Sequence, residues 1–132
     1  MSFLLDSHTF LWAISLKKNL STKVIQILED PENEIFVSSV TFWEISLKYS
    51  LGKLGLNGVN PQELPDISKN TGFLFLPLLT DEASGYHLLN ADFHRDLFDR
   101  MLIYQALKNN LTLLNKDKII PHYQSIGLKV IW

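Results

Sequence analysis

The chain has 132 residues, 46% of them apolar and 20% charged, enough for one domain with a sizeable core and too short for two ordinary ones. With 12 basic residues against 14 acidic the net charge is −2, which excludes a protein that grips nucleic acid through a broadly basic face. There is no cysteine, so disulfide frameworks and thiolate metal sites are excluded as well, in keeping with a reducing compartment.

In chain order, residues 3–5 are a short apolar run that reads as a buried strand, ended by Asp6 and Ser7. A helix is expected over 9–14 with Ser7 as its cap. A second runs from Ser21 and Thr22 to Glu29, where Asp30 and Pro31 close it. Residues 35–37, β-branched and aromatic, read as the second strand. Ser38 and Ser39 lead into a helix over 40–51 that Gly52 stops, and residues 52–58 are loop-like. A short helix starts at Pro61, Pro65 interrupts it, and Gly72 ends the region. A third strand covers 73–76, and Thr80, Asp81 and Glu82 cap a helix through Leu89 with acids in its first turn. Residues 94–106 open with charge and run into a helix expected to be buried. Asn109 and Asn110 turn the chain into a fourth strand over 111–114, and residues 121–123 connect it to a last strand over 128–131.

Nearly all-apolar strands alternating with helices predict one α/β domain over residues 1–132, three layers deep (α/β/α), around a mainly parallel sheet of about five strands. The segment before Asp6 lacks the basic stretch of a secretory signal. The longest apolar run, residues 73–79, contains Pro77 and is far too short to span a bilayer. A cytoplasmic protein without membrane contact is therefore expected.

Four acids stand in apolar surroundings. Asp6 directly follows the first strand, and Asp117 comes shortly after the fourth. Glu44 has Val40, Leu47 and Leu51 on its own helical face, with Lys48 one turn on as a candidate ion-pair partner. Asp99 shares a face with Leu102, Ile103 and Ala106. Ligands of an open parallel sheet bind beyond the carboxyl ends of its strands, so the four are expected to converge there. Carboxylates gathered without a cation repel one another and raise their own pKa values. With Mg²⁺ or Mn²⁺ the group makes chemical sense, because hard cations take oxygen ligands and leave positions for water and phosphate. Such an ion activates water for in-line attack on a phosphodiester. The residues thus point to a metal-dependent phosphodiesterase.

In order and spacing, Leu4-Leu5-Asp6-Ser7-His8 with Leu11-Trp12, Ser38 to Ile45 leading to Leu51-Gly52-Lys53-Leu54, residues 94–106, and Leu113-Leu114-Asn115-Lys116-Asp117 resemble a PIN domain of the VapC-like toxin branch of type II toxin–antitoxin systems. The resemblance covers nearly the whole chain. It implies a PIN-like fold and an endoribonuclease that uses Mg²⁺ or Mn²⁺. It also implies a common habit of dimerising, and inhibition by an antitoxin, a separate chain whose tail occupies the active-site groove. Asp6, Glu44 and Asp99 match the three principal acids of the family, and Asp117 the fourth, more variable one. Asp6 and Asp99 are the leading candidates for direct metal ligation; Glu44 and Asp117 are candidates for a second ion or for orienting the attacking water. Ser7 stands where Thr is usual, Leu97 replaces a common Pro, which should loosen the helix entry, and Asn115 replaces the usual Thr or Ser, keeping a hydrogen-bonding group.

Ser7, Asp96 and Asn115 are expected to support the acids, Asp96 either as a helix cap or at the edge of the site. Lys48, Lys53, Arg95, Arg100 and Lys116 are candidate contacts to RNA phosphates, although each also reads as part of a solvated charged face. His8 and His94 are assigned supporting roles. Each aspartate alone has an architectural use: Asp6 as a cap, Asp99 in a first helical turn, Asp117 in a turn. Two other functions compete. A receiver-type phospho-acceptor would want an adjacent acid pair after the first strand, where this chain has Ser7 and His8. A catalytically silent PIN-like module binding RNA or protein would have lost acids, and this chain keeps all four.

Overall fold

The computed structural model describes residues 1–90, 96–118 and 120–132. Five parallel strands form one sheet in the order β3-β2-β1-β4-β5, with β1 at Ser2–Leu5, β2 at Glu34–Ser38, β3 at Leu74–Leu76, β4 at Thr112–Leu114 and β5 at Lys129–Ile131. The central strand explains its own composition. Leu4 lies between Phe36 and Leu113, Leu5 between Val37 and Leu114, and both leucines are wholly buried. Burying a leucine fully stabilises by about 1.5–3 kcal/mol, which outweighs the weak intrinsic signal of a four-residue strand.

The pleat divides these side chains between two cores. Leu4 and Leu113 point to the face covered by α6 (Leu97–Asn109), where they meet Leu102, Ile103 and Ala106. Phe3, Leu5, Ile35, Val37 and Leu114 point to the opposite face, covered by α1 (Ser7–Ser15), α2 (Thr22–Glu29) and α4 (Leu64–Thr71). The third helix, α3 (Ser39–Ser50), gives Val40 to the first core and Ile45 to the second, so it lies across the carboxyl edge of the sheet. This is the three-layer architecture expected, with an all-parallel sheet.

Local differences have local causes. Asp6, not Ser7, caps α1: its backbone is extended and its Oδ1 accepts from the Thr9 N–H at 2.8 Å, while Ser7 is the first helical residue. Pro65 opens α4 instead of interrupting it, because a first-turn residue has no intrahelical carbonyl for an N–H to reach. The helix expected through Leu89 is α5 (Thr80–Gly85) followed by a 3₁₀ turn at Tyr86–Leu88. A longer 3₁₀ run, Ile120–Ile126, takes the place of the short connector before β5. Gly52 does stop α3: at φ +72° it adopts the left-handed turn, and the Lys53 N–H reaches back to the Lys48 carbonyl at 2.9 Å.

Candidate active site

The chain runs from β1 outward through β2 to β3, then returns to the other side of β1 for β4 and β5. The strand order therefore reverses between β1 and β4, and the crevice outside their carboxyl ends is where such a sheet offers a site. The registers end Leu5 and Leu114 side by side, so Asp6 and Asn115 emerge next to each other. A cleft of about 350 Å³ opens there, and Asp6, Asp99 and Asp117 all line it, with Asn115, Lys116 and Trp12.

Asp6 is 6% exposed and held from two sides. Its Oδ1 caps α1, and its Oδ2 accepts from Asn115 Nδ2 at 2.5 Å. Burial pushes its carboxyl above the ordinary aspartate range; the Thr9 bonds and His8 oppose the rise, and Glu44 adds to it. Thr9 is itself tied to β4 through its hydroxyl, which donates to the Leu114 carbonyl at 3.0 Å. Asn115 uses both ends of its amide: the oxygen accepts from the Asp117 N–H at 2.6 Å while the nitrogen serves Asp6. One side chain thereby braces the acid after β1 and the acid after β4, the work a shorter Thr or Ser hydroxyl at this position would have to share out differently.

Asp99 reaches the cleft from α6. Its helical neighbours Leu102, Ile103 and Ala106 are buried as the spacing predicts, whereas Asp99 itself is half-buried because it lies in the first turn, where the helix emerges at the cleft. Asp96 caps that helix with two bonds, accepting from the Phe98 N–H at 2.9 Å and the Asp99 N–H at 3.0 Å. The helix entry is thus firmly closed with Leu97 at its first position.

Glu44 is placed differently. It is 3% exposed and lines a side cavity of about 30 Å³ with Ser7, His8 and Lys48, not the main cleft. Its Oε1 accepts from Ser7 Oγ at 2.5 Å, and its Oε2 is ion-paired with Lys48. Ser7 and His8 separate it from Asp6. Desolvation works against the Lys48 charge, but the bond to Glu44 and the carboxylates of Glu44, Asp96 and Asp99 together hold its ammonium above the ordinary lysine range.

The candidate RNA contacts divide. Lys116 is exposed on the cleft wall with its ammonium 5.7 Å from the Trp12 ring centroid, and Lys53 is exposed in the turn after α3. Arg100 is committed elsewhere: its guanidinium donates to the Tyr86 hydroxyl at 3.0 Å, the Tyr123 hydroxyl at 3.2 Å and the Leu89 carbonyl at 3.0 Å. Those bonds make it a tie between α6 and its neighbours. Arg95 and His94 lie outside the described residues.

The donors are of the kind a hard divalent ion takes, carboxylate and amide oxygens beside open water. Among the described residues, no three acids or histidines close into a ready metal cage. The cleft itself brings together the carboxylates of Asp6, Asp99 and Asp117, and Mg²⁺ is commonly held by one or two carboxylates with water and phosphate in its remaining positions. Residues not foreseen as part of the site are Thr9, which locks Asp6, and Thr41, which lies 3.4 Å from Ser7 Oγ. The only sequence signal for Thr9 is its position three residues after a capping acid.

A parallel α/β sheet thus carries Asp6, Asp99 and Asp117 around one cleft at its switch point, and comparison with known proteins places this fold in a family. A PIN domain family model matches residues 3–125, and the chain belongs to the PIN domain family. No curated protein sequence matches it. Among solved structures, one chain of VapBC2 from Rickettsia felis, bound to a DNA fragment from its promoter, superposes with a TM-score of 0.70 at 18% identity, covering 99% of this chain and 98% of that one. A chain of a toxin–antitoxin complex from Klebsiella pneumoniae gives 0.61 at 18%, covering 98% and 96%. A chain of FitAcB from Neisseria gonorrhoeae gives 0.60 at 20%, covering 100% and 97%. These likenesses show a shared fold.

Proposed function

We propose that this chain is a metal-dependent endoribonuclease and the toxin of a type II toxin–antitoxin module, acting in the cytoplasm. The observation that carries the reading is the meeting of Asp6, Asp99 and Asp117 in one cleft of a PIN-family fold, two of them braced by Asn115. Asp6 and Asp99 would hold Mg²⁺ or Mn²⁺, with Asp117 and Glu44 available to a second ion or to the attacking water. When bound, such an ion neutralises phosphate charge and lowers the pKa of water for in-line attack.

The protein's own contribution is orientation. Each Asp6 oxygen receives one donor and keeps lone pairs for the cleft. The bracing by Thr9 and Asn115 fixes where those lone pairs point before substrate arrives, which is how supporting residues lower the cost of reaching a reactive geometry. Lys116 supplies positive charge to an RNA backbone entering past Trp12, and exposed Lys53 adds to it from the turn after α3, whereas Lys48 is engaged by Glu44.

An antitoxin partner is supported by what adjoins the cleft. An apolar groove of about 430 Å³, lined by Leu11, Ile14, Leu56, Leu64 and Ile67, shares His8 and Trp12 with it, so a peptide seated there would run directly onto the acids. A homodimer belongs to the same reading: Trp43 and Leu47 on α3, with Leu51 directly after it, expose an apolar strip. Among the described residues no helix is long and apolar enough to cross a membrane.

The test is cleavage of a panel of RNAs by the purified chain with Mg²⁺, Mn²⁺ or EDTA. Asp6→Asn and Asp99→Asn should each lower the rate by at least about 100-fold, since even supporting residues of a metal site cost 10–100-fold. Cleavage that survives both substitutions, or that ignores the chelator, sinks the mechanism. Induced expression without antitoxin should arrest growth; unaffected growth removes the toxin assignment.

A further inference from the structure

We propose that Lys48 is a positioning residue, a built-in counter-ion that competes with the divalent ion for Glu44 and so sets how tightly the site takes metal. This rests on the metal-dependent reading above. Glu44 is the acid that turns away from the cleft, and the two groups that hold it aside are Lys48 on Oε2 and Ser7 on Oε1. A carboxylate that is 3% exposed needs a cation, and here the chain supplies its own from one turn along α3.

The pair is unequal in a way that suits exchange. Glu44 is 4% exposed at its side chain and anchored by Ser7, whereas the Lys48 side chain is 34% exposed and can return its ammonium to water at small cost. The Lys48 backbone is fixed, because its carbonyl closes the Gly52 turn at the end of α3, so only the flexible stem has to move. The carboxylates of Asp96 and Asp99, at the start of α6, also favour the charged ammonium. A divalent ion that recruits Glu44 must therefore displace a cation already there, and in the metal-free protein that cation keeps the acids from repelling one another.

The experiment uses the full chain and Mn²⁺ alone as the probe, followed by isothermal titration calorimetry and thermal melting. Lys48→Met should bind Mn²⁺ about tenfold more tightly or better, the scale on which one neighbouring unit charge moves an ionic equilibrium. Its metal-free melting temperature should fall, and Mn²⁺ should raise it by more than in the wild type. Lys48→Arg should match the wild type in both, and in a Glu44→Gln background Lys48→Met should leave Mn²⁺ affinity unchanged. A folded Lys48→Met that binds Mn²⁺ as the wild type does, or more weakly, overturns the role, even if it melts earlier. Should that variant fail to fold, the wild type decides: the Lys48 Cε resonance should move as Mg²⁺ saturates the site, and a stationary resonance while site resonances shift overturns the role. Absence of Mn²⁺ binding by the wild type overturns the metal-dependent reading and this one with it.

Discussion

Two carboxylates in this protein have little exposed surface, Asp6 at 6% and Glu82 at 3%, but Asp6 lies much deeper in the protein, and their acidities move in opposite directions. Burial pushes both up. For Glu82 the push is overcome by the Leu79 N–H at 3.0 Å, Asn109 Nδ2 at 2.8 Å and Gln105 Nε2 at 3.1 Å, and its carboxyl lies below the usual glutamate range. For Asp6 the desolvation is much stronger, two donors do not offset it, and Glu44 adds a like charge nearby. Glu82 is thus a finished structural group, a knot joining α5 to α6 and, through Gln105 and the Ser38 hydroxyl at 2.5 Å, to the start of α3. Asp6 is left short of positive charge at an open cleft, the state that the proposed metal-ligand role requires.

The sharpest break between the two is a truncation on the finished side. Glu82→Ala removes the acceptor of three donors and strands part of the Gln105 amide in the core, so it should cost about 2–3 kcal/mol, read as a lower urea midpoint at unchanged slope. A loss within experimental error would mean that the network is decoration and that the contrast with Asp6 has no energetic content.

A smaller effect should separate positioning from stability on the other side. Asn115→Ala takes away the second donor of Asp6 and the acceptor of the Asp117 N–H. Cleavage at saturating Mn²⁺ should fall by about 10–100-fold, the usual range for groups that orient metal ligands, while the urea midpoint shifts little. Wild-type rates in this variant would show that the acids hold their places without bracing.

Much of this arrangement is legible in the chain because it is local. The run Phe3-Leu4-Leu5 can only be a buried strand, and an acid directly after a parallel strand lands at the carboxyl edge wherever the rest of the fold goes. Asp96 is equally readable, since a cap acts within three residues. What escapes is decided by partners distant in sequence. Arg100 looks like a free cation beside the site until Tyr86, Leu89 and Tyr123, 14, 11 and 23 residues away, take up its donors. Glu82 reads only as a first-turn acid, and nothing near it announces Gln105 or Asn109. Glu44 is intermediate. Its Lys48 partner is visible at helical spacing, but its turn away from the cleft depends on Ser7, 37 residues earlier.

The finest distinction lies in pH, where the two acids should leave opposite signatures on stability in chelator-treated protein. Glu82 is more acidic folded than unfolded, so its contribution is fully present above the unfolded glutamate value of about 4.3 and is lost as pH falls through the lower folded value. Asp6 is less acidic folded than unfolded. Its ionisation therefore costs stability as pH rises from the unfolded value of about 3.9 through the higher folded one. Asp6→Asn keeps a capping side chain and removes that cost, so its urea midpoint should exceed the wild type's at neutral pH and converge with it in acid. Glu82→Ala should do the reverse, with its deficit largest at neutral pH and shrinking toward acid. Addition of Mn²⁺ should erase the Asp6→Asn advantage, because an ion that binds the native aspartate stabilises only the wild type. An Asp6→Asn variant less stable than wild type in chelator would mean that Asp6 is held for the fold, and the difference between the two carboxylates would disappear.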